Sequence, residues 1–138
     1  GHNGDYWSQA SSAIDIRALL PESIMNAVAD PTQPFLPVGA GEKNQGFVLR
    51  HADHELPAGQ WNTLELICFE GQSLHIVNGE VVMVLRNSRY LDPQGQLQPM
   101  VEGKLQLQSE AAEVFFRRIQ LKLLAGLPAQ YQPLFNQP

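Results

Sequence analysis

Hydrophobic and polar residues alternate most clearly in the middle of the chain, between Trp61 and Arg86. This stretch, WNTLELICFEGQSLHIVNGEVVMVLR, holds three short runs rich in β-branched and aromatic residues, separated by Glu70-Gly71 and Asn78-Gly79. Asn-Gly between two such runs is the strongest local signal for a β-hairpin, because both residues tolerate the positive φ of a type I′ turn. The pattern therefore predicts three consecutive antiparallel strands, Trp61–Phe69, Ser73–Val77 and Val81–Arg86.

Two-residue turns would fix the pairing of these strands, with Ile67 opposite Leu74, Ile76 opposite Val81 and Leu74 opposite Met83. One predicted face carries Ile67, Leu74, Ile76, Val81, Met83 and Leu85, and the other carries Leu64, Leu66, His75, Val77, Val82 and Val84. Because both faces are largely apolar, we expect a second sheet on one side and loops or another chain on the other.

Weaker patterns predict the rest of the architecture. Further strands are expected at Ala13–Leu20, Gly46–Arg50, Lys104–Ser109 and Glu113–Leu124. The last run changes parity between Phe116 and Ile119, which predicts a β-bulge at Arg117-Arg118. The proline- and glycine-rich residues 21–45 and 87–103 are expected to be loops, the first with a short helical turn at Glu22–Val28. Residues 1–124 would form one β-sandwich domain, and residues 125–138 an extended tail.

Composition narrows the classes of function. The net charge of -5, with no Lys/Arg-rich patch to offset it, argues against nucleic-acid binding. No apolar run approaches the ~20 residues of a membrane-spanning helix. The single cysteine, Cys68, excludes an internal disulfide framework and is better explained as a small core residue than as a nucleophile.

One polar cluster offers candidate chemistry in the loop before Trp61. It consists of His51, Asp53, His54 and Glu55. Histidine supplies a base near neutral pH, and histidine together with carboxylates can hold a metal ion. A solvated polar turn is the competing interpretation.

Other candidates are weighed against structural roles. His75 lies between apolar neighbours and is expected to be a buried or half-buried, hydrogen-bonded histidine. Sugar-binding candidates are Tyr6, Trp7, Arg86, Asn87, Arg89 and Gln108, with Gln106 on the same strand face as Gln108. The aromatic rings could equally pack in the core, the arginines and Asn87 could hold the 87–103 loop, and the glutamines could simply face solvent.

Several short motifs, in order, resemble the 3-keto-disaccharide hydrolase family. The motifs are Gly59, Trp61 and Asn62; the Asn78-Gly79 hairpin; Gly103, Leu105, Leu107 and Gln108; and Val114, Phe116, Arg117 and Ile119. The sequences GDYW at 4–7 and RNSR at 86–89 resemble a secreted bacterial subgroup. The resemblance implies a concanavalin A-like jelly roll of two antiparallel sheets, here without the family's earliest strands and their Glu-x-Gln motif, and hence N-terminally incomplete.

The resemblance also implies a reaction. A ketone at carbon 3 of a sugar acidifies the hydrogen on carbon 2, so a base can form an enolate that expels the glycosidic group from carbon 1 before water adds. For such a reaction the loop cluster offers His51, His54 and Glu55 as catalytic candidates, with Asp53 as a ligand for a divalent cation such as Ca²⁺. The expected location is secreted or periplasmic.

Two alternatives stay open beside an enzyme on keto-glycosides. They are a non-catalytic carbohydrate-binding module with a lectin-like fold, and an interaction domain without a ligand. The expected partners are a carbohydrate or small glycoside and a second copy of the chain. The apolar tail from Leu127 to Phe135 is expected either to reach that copy or to pack back on its own sandwich.

Overall fold

The structure, a computed structural model, describes residues 2–20, 26–42, 46–109 and 112–136. Nine strands are formed within these residues, followed by two short helical turns. The strands are β1 (Tyr6–Trp7), β2 (Ser12–Leu19), β3 (Ala27–Ala29), β4 (Phe35–Gly39), β5 (Phe47–Leu49), β6 (Leu64–Phe69), β7 (Gln72–Val77), β8 (Glu80–Leu91) and β9 (Leu97–Pro99). A 3-10 turn at Ala129–Tyr131 precedes the helical turn α1 (Pro133–Asn136).

The strands form one connected, curled sheet with the order β1-β5-β3-β2-β8-β7-β6. β3 and β4 both pair with β2, at its end and at its middle, so together they act as one strand interrupted by residues 30–34. β9 pairs with the last part of β8. The predicted all-β, jelly-roll-like fold is confirmed, although the described strands make a single curled sheet and β3 pairs with β5 in parallel.

The central meander confirms most of the predicted pairing. Ile67 lies opposite Leu74 and Ile76 lies opposite Val81. A register shift between His75 and Ile76 then places Leu74 opposite Val84, so its predicted pairing with Met83 is wrong. A one-residue shift moves side chains to the other face of the sheet. Met83 and Leu85 therefore leave the predicted face and join the core on the opposite side.

Two apolar clusters cover the two faces of this sheet. One cluster, here called the inner core, consists of Ile14, Ile16, Ala18, Ala27, Ala29, Val38, Val48, Met83 and Leu85. The outer core consists of Ile67, Leu74, Ile76, Val84 and Phe135. Partly buried residues of the tail, Leu124, Leu127, Tyr131 and Leu134, pack against the outer core. The tail thus packs on its own chain, and it is not extended as predicted, because residues 129–136 form two helical turns.

Both predicted loops contain strands. Residues 21–45 include β3 and β4, and residues 87–103 include the end of β8 and all of β9. Pro37 in β4 and Pro99 in β9 hid these two strands from the sequence pattern, since proline has no N–H to donate to a strand ladder and is a usual signal of a loop. The predicted helical turn at Glu22–Val28 falls partly outside the described residues, and Ala27 and Val28 belong to β3.

The two predicted C-terminal strands are absent from the described parts of the chain. Residues 104–109 and 113–124 adopt no regular structure, and their apolar side chains are mostly exposed. Arg118 has a positive φ of 53° where a bulge was predicted, but no paired strand surrounds it. No described helix has the length and apolar character needed to span a membrane.

Candidate functional site

A bulge in β8 organises the first group of predicted site residues. Four residues of β8, from Arg86 to Arg89, lie opposite only three residues of β2, from Ala13 to Asp15. Asn87 sits in this bulge with a φ of 56°, a left-handed conformation that asparagine tolerates better than most residues. The extra residue brings the Arg89 and Asn87 side chains together at Asp15.

Arg89 holds two carboxylates at this position. Its Nη1 donates to Asp15 Oδ1 at 2.8 Å and its Nη2 donates to Glu42 Oε1 at 2.7 Å. The Asn87 amide donates to the second Asp15 oxygen at 3.2 Å. Burial lowers the pKa of Arg89, but the hydrogen bonds with Glu42 and Asp15 outweigh it and leave the pKa raised. The guanidinium is therefore charged at any working pH, and both acids are fixed beside it.

The Arg86 side chain differs from that of Arg89 because it makes no hydrogen bond or ion pair with another described residue. Its guanidinium carbon lies 3.8 Å from the centroid of the Phe35 ring, and Arg17 lies 4.4 Å from the same centroid. Arg17 is buried and donates from Nε to the carbonyl of Leu134 at 2.7 Å. Burial, and then the charge of Arg86, lower the pKa of Arg17. Arg86 itself is half-buried, with its guanidinium over the Phe35 ring.

The two aromatic candidates behave differently. Tyr6 is half-buried against the inner core, and burial raises its pKa, offset in part by a hydrogen bond with Ser12 and by the charge of Arg89. Trp7 is 63% exposed and packs its ring against Phe47 at 5.2 Å between centroids. Ser12 also belongs to an open cleft of about 190 Å³ lined by Ser8, Gln9, Ala10, Ser11, Ser12, Gly39 and Ala40. Tyr6 thereby interacts with a residue that lines this cleft.

The predicted catalytic cluster forms a second group, in a turn held by Arg50. Arg50 pairs with Asp53 at 2.8 Å and with Glu55 at 3.3 Å, while the Asn3 amide donates to Glu55 at 2.6 Å. The amide of Glu55 and then Arg50 lower the pKa of Asp53. Burial raises the pKa of Glu55, but the Asn3 amide and Arg50 lower it overall. Both carboxylates are therefore ionised and already hydrogen-bonded.

The two histidines of this turn lie at its surface. His51 is exposed, and its Nδ1 lies 3.2 Å from the carbonyl of Ala29. His54 is half-buried, and its carbonyl accepts a hydrogen bond from the Asn78 side chain at 2.7 Å. Within the described residues, no group of three or more His, Cys, Asp and Glu side chains could hold a metal ion.

His75 fits the structural role that the sequence indicates. Its Nδ1 donates to the carbonyl of Gly4 at 2.8 Å, and burial lowers its pKa despite that bond and the nearby charge of Asp5. Gly4 has a φ of 95° and lies so close to Val82 that a Cβ atom would come within 2.6 Å of it. Glycine is therefore required for the N-terminal segment to cross β8 and reach His75.

Gln108 is exposed and accepts a hydrogen bond from Gln106 at 3.1 Å, on a segment without regular structure.

Three residues of the site were not predicted from the sequence: Ser12, Asp15 and Glu42. The sequence does hold an indication for Asp15, because this acid interrupts an otherwise apolar strand pattern. Glu42 had none, since its place beside Arg89 depends on the path of β4.

Comparison with known proteins places the chain in a family. Residues 2–122 match the family described as a 3-keto-alpha-glucoside-1,2-lyase-like domain. The match covers most of the chain, which therefore belongs to this family and is a glycoside-acting domain at that level. No curated protein and no solved structure matches it.

Proposed function

We propose that this domain acts on 3-keto-glycosides and binds the sugar along β8 at Arg86 and Asn87, with the buried Arg89 holding this part of the strand in place. The observation that supports this most is the β8 bulge, which brings the Asn87 and Arg89 side chains together at Asp15, one strand position after Arg86. Family membership supplies the class of substrate.

The chemistry of this surface suits a polyhydroxylated ligand. Sugar hydroxyls both donate and accept, so a site with guanidinium donors and carboxylate acceptors side by side can pair with each of them. Arg86 contributes donors that no described residue occupies, and Asp15 is fixed with its oxygens facing Arg89 and Asn87. Trp7 offers an exposed ring for the C–H face of a sugar, and Gln108 would add a distal contact.

The proposed reaction is elimination followed by hydration. A histidine, His51 or His54, removes the proton from carbon 2, and the electron pair forms the enolate of the carbon-3 ketone. The enolate then expels the glycosidic oxygen from carbon 1, and that oxygen takes up a proton. Water adds across the resulting double bond, so the net change is hydrolysis and no oxidant is needed.

A metal ion has no step in this proposal. Asp53, the predicted ligand, is engaged by Arg50 and by the Glu55 amide, and the described residues bring no third ligand to it. Glu55 is likewise held by Asn3 and Arg50, so its proposed part is to keep the turn in place beside the histidines.

A carbohydrate-binding module is the second candidate function. It is favoured by the state of the two carboxylates in the turn. Asp53 and Glu55 each bind Arg50 and accept a hydrogen bond from a backbone amide, so neither carboxylate is poised to act as a base. Such a module would use the Arg86 surface without turnover. Secretion or a periplasmic location, and assembly as a homodimer, are further parts of the proposal that follow from the family resemblance and the exposed apolar surface.

The sugar-binding surface is tested with Arg86→Gln. We expect this variant to bind a 3-keto-glucoside at least about tenfold more weakly by calorimetry, because it loses charged donors while the fold keeps its ion pairs. Lys104→Gln removes an exposed cation elsewhere and should bind like the wild type. Equal affinity of all three proteins would remove Arg86 from the site.

The catalytic histidines are tested separately with His51→Ala and His54→Ala, assayed for release of the glycosidic group from a 3-keto-glucoside. An enzyme should lose about 10²-fold or more in turnover in one of the two variants, the usual contribution of a general base. Undiminished turnover in both would exclude the turn from the mechanism. Sugar binding without turnover in the wild type would establish the binding module instead.

A further inference from the structure

The segment 113–124 combines strand-forming sequence with exposure. It reads EVFFRRIQLKLL, yet it pairs with no described strand. Ile119, Leu121 and Leu123 are 65%, 89% and 90% exposed, and Phe115 is 68% exposed. Such β-branched and aromatic residues at alternating positions are typical of a strand in a sheet, and not of a solvated coil.

An unpaired sheet edge lies close to this segment. β6 is the last strand in the sheet order, and its side opposite β7 faces no described strand. The Asn78 amide donates to the Thr63 carbonyl, and antiparallel pairs alternate in their bonding, so the amides of Leu64, Leu66 and Cys68 point to the free edge. Leu64 and Leu66 are each 53% exposed. The edge therefore offers both backbone donors and apolar side chains.

The charges of the edge and the segment are opposite. Segment 113–124 carries three basic residues and one acidic residue, a net charge of +2, in a chain whose net charge is -5. β6 and its turn carry Glu65 and Glu70 and no basic residue, a net charge of -2. Within one chain, Arg117 lies over the ring of Trp61 at 3.9 Å, just before β6. Each copy thus presents one acidic edge and one basic strand-forming segment.

The apolar area involved is that of a stable interface. Eight apolar side chains of β6 and segment 113–124 are each 45% or more exposed, an apolar area on the order of 1,000 Å² divided between the two elements. A standard interface buries about 800 Å² on each partner. The surface is therefore large enough to hold two copies together.

We propose that segment 113–124 of one copy adds to the β6 edge of a second copy, and that a two-fold axis repeats the contact. The two-fold arrangement uses both β6 edges and both segments in one closed dimer. The tail from Leu127 to Phe135 takes no part, because it packs on the outer core of its own chain. Leu124, which contacts that core, anchors one end of the segment.

The first test is the mass of the protein in solution by light scattering. At about 10 µM, where a micromolar Kd still gives substantial dimer, we expect a mass near twice the 15.3 kDa of the chain. Leu66→Pro removes an amide that points to the free edge without removing one that bonds to β7, so the hairpin should fold and the dimer should dissociate. Leu97→Lys, at an exposed apolar residue of β9, should remain dimeric.

The second test uses the single cysteine to identify the contact. One chain keeps Cys68, and the other carries Cys68→Ser with Gln120→Cys. Mild oxidation of the mixture should give a disulfide between the two chains, and Leu66→Pro in the first chain should abolish it. A wild-type monomer, or a dimer that neither forms this disulfide nor responds to Leu66→Pro, would overturn the proposal. Loss of sugar binding would leave it standing, since the two readouts are independent.

Discussion

Strand β8 and segment 113–124 are both twelve residues long, and both begin with Glu-Val. β8 pairs with β2 on one side and with β7 and β9 on the other, and its residues Val82–Leu85 are all buried. Segment 113–124 pairs with no described strand, and its side chains lie mostly in solvent. The difference shows that an alternating pattern gives a segment the capacity for a strand, while an available partner decides whether the strand forms.

The largest expected effect contrasts one residue from each region. Met83→Ala in β8 should lower the free energy of unfolding by about 2–4 kcal/mol, because it leaves a cavity in the inner core. Leu121→Ala in the segment should change it by less than about 0.5 kcal/mol. Urea denaturation at a concentration low enough to keep the protein monomeric measures both. A large loss in Leu121→Ala would show that the segment is packed within its own chain.

A smaller effect is expected from the tail, which covers its own chain where segment 113–124 does not. Phe135 is buried in the outer core, so Phe135→Ala should lower the free energy of unfolding by about 2–3 kcal/mol. This loss is at or below the usual range for a buried phenylalanine, because a terminal turn relaxes easily around the cavity. Gln130→Ala, an exposed change in the same tail, is the matched control. Equal thermal stability of both variants would mean that the tail leaves the outer core open.

The smallest expected effect is a pH dependence of stability caused by His75, which lies in β7 within the paired part of the sheet. Burial lowers its pKa in the folded state below the unfolded value of 6.5, so the unfolded chain takes up the proton more readily. The contribution of neutral His75 to the free energy of unfolding should therefore be fully present above pH 6.5 and be lost as the pH drops below that value. His75→Gln should flatten this part of the profile measured by thermal melts. An unchanged slope between pH 7 and about pH 5 would exclude His75 as the cause.

The sequence was most informative where pairing is local. The Glu70-Gly71 and Asn78-Gly79 turns predicted the β6–β8 meander because each turn fixes its neighbours directly. Met83 was assigned to the wrong face because a bulge is set by packing on both sides of the sheet. Strands β3 and β4 escaped prediction because their pairing with β2 compensates for Pro37 and for weak local patterns.

The candidate site was predictable only in part. Arg86, Asn87 and Arg89 share one short stretch, so their grouping followed from the sequence. Their carboxylate partners come from distant positions, since Asp15 and Glu42 reach Arg89 only through the β2–β8 and β2–β4 pairing. Whether these residues bind a sugar, and whether His51 and His54 act on it, stay predictions for the experiments above.

The hairpin turn at Asn78 also bears on the chemical ageing of the protein. An asparagine followed by glycine is prone to lose its side-chain amide by attack of the next backbone nitrogen. Here the side-chain nitrogen of Asn78 donates to the His54 carbonyl and to the Asn62 side chain, and its side-chain oxygen accepts from the Thr63 amide. These bonds hold the group away from reaction in the folded chain. Conversion to aspartate would set a carboxylate against two acceptors, so a single deamidation would release the turn that carries His54.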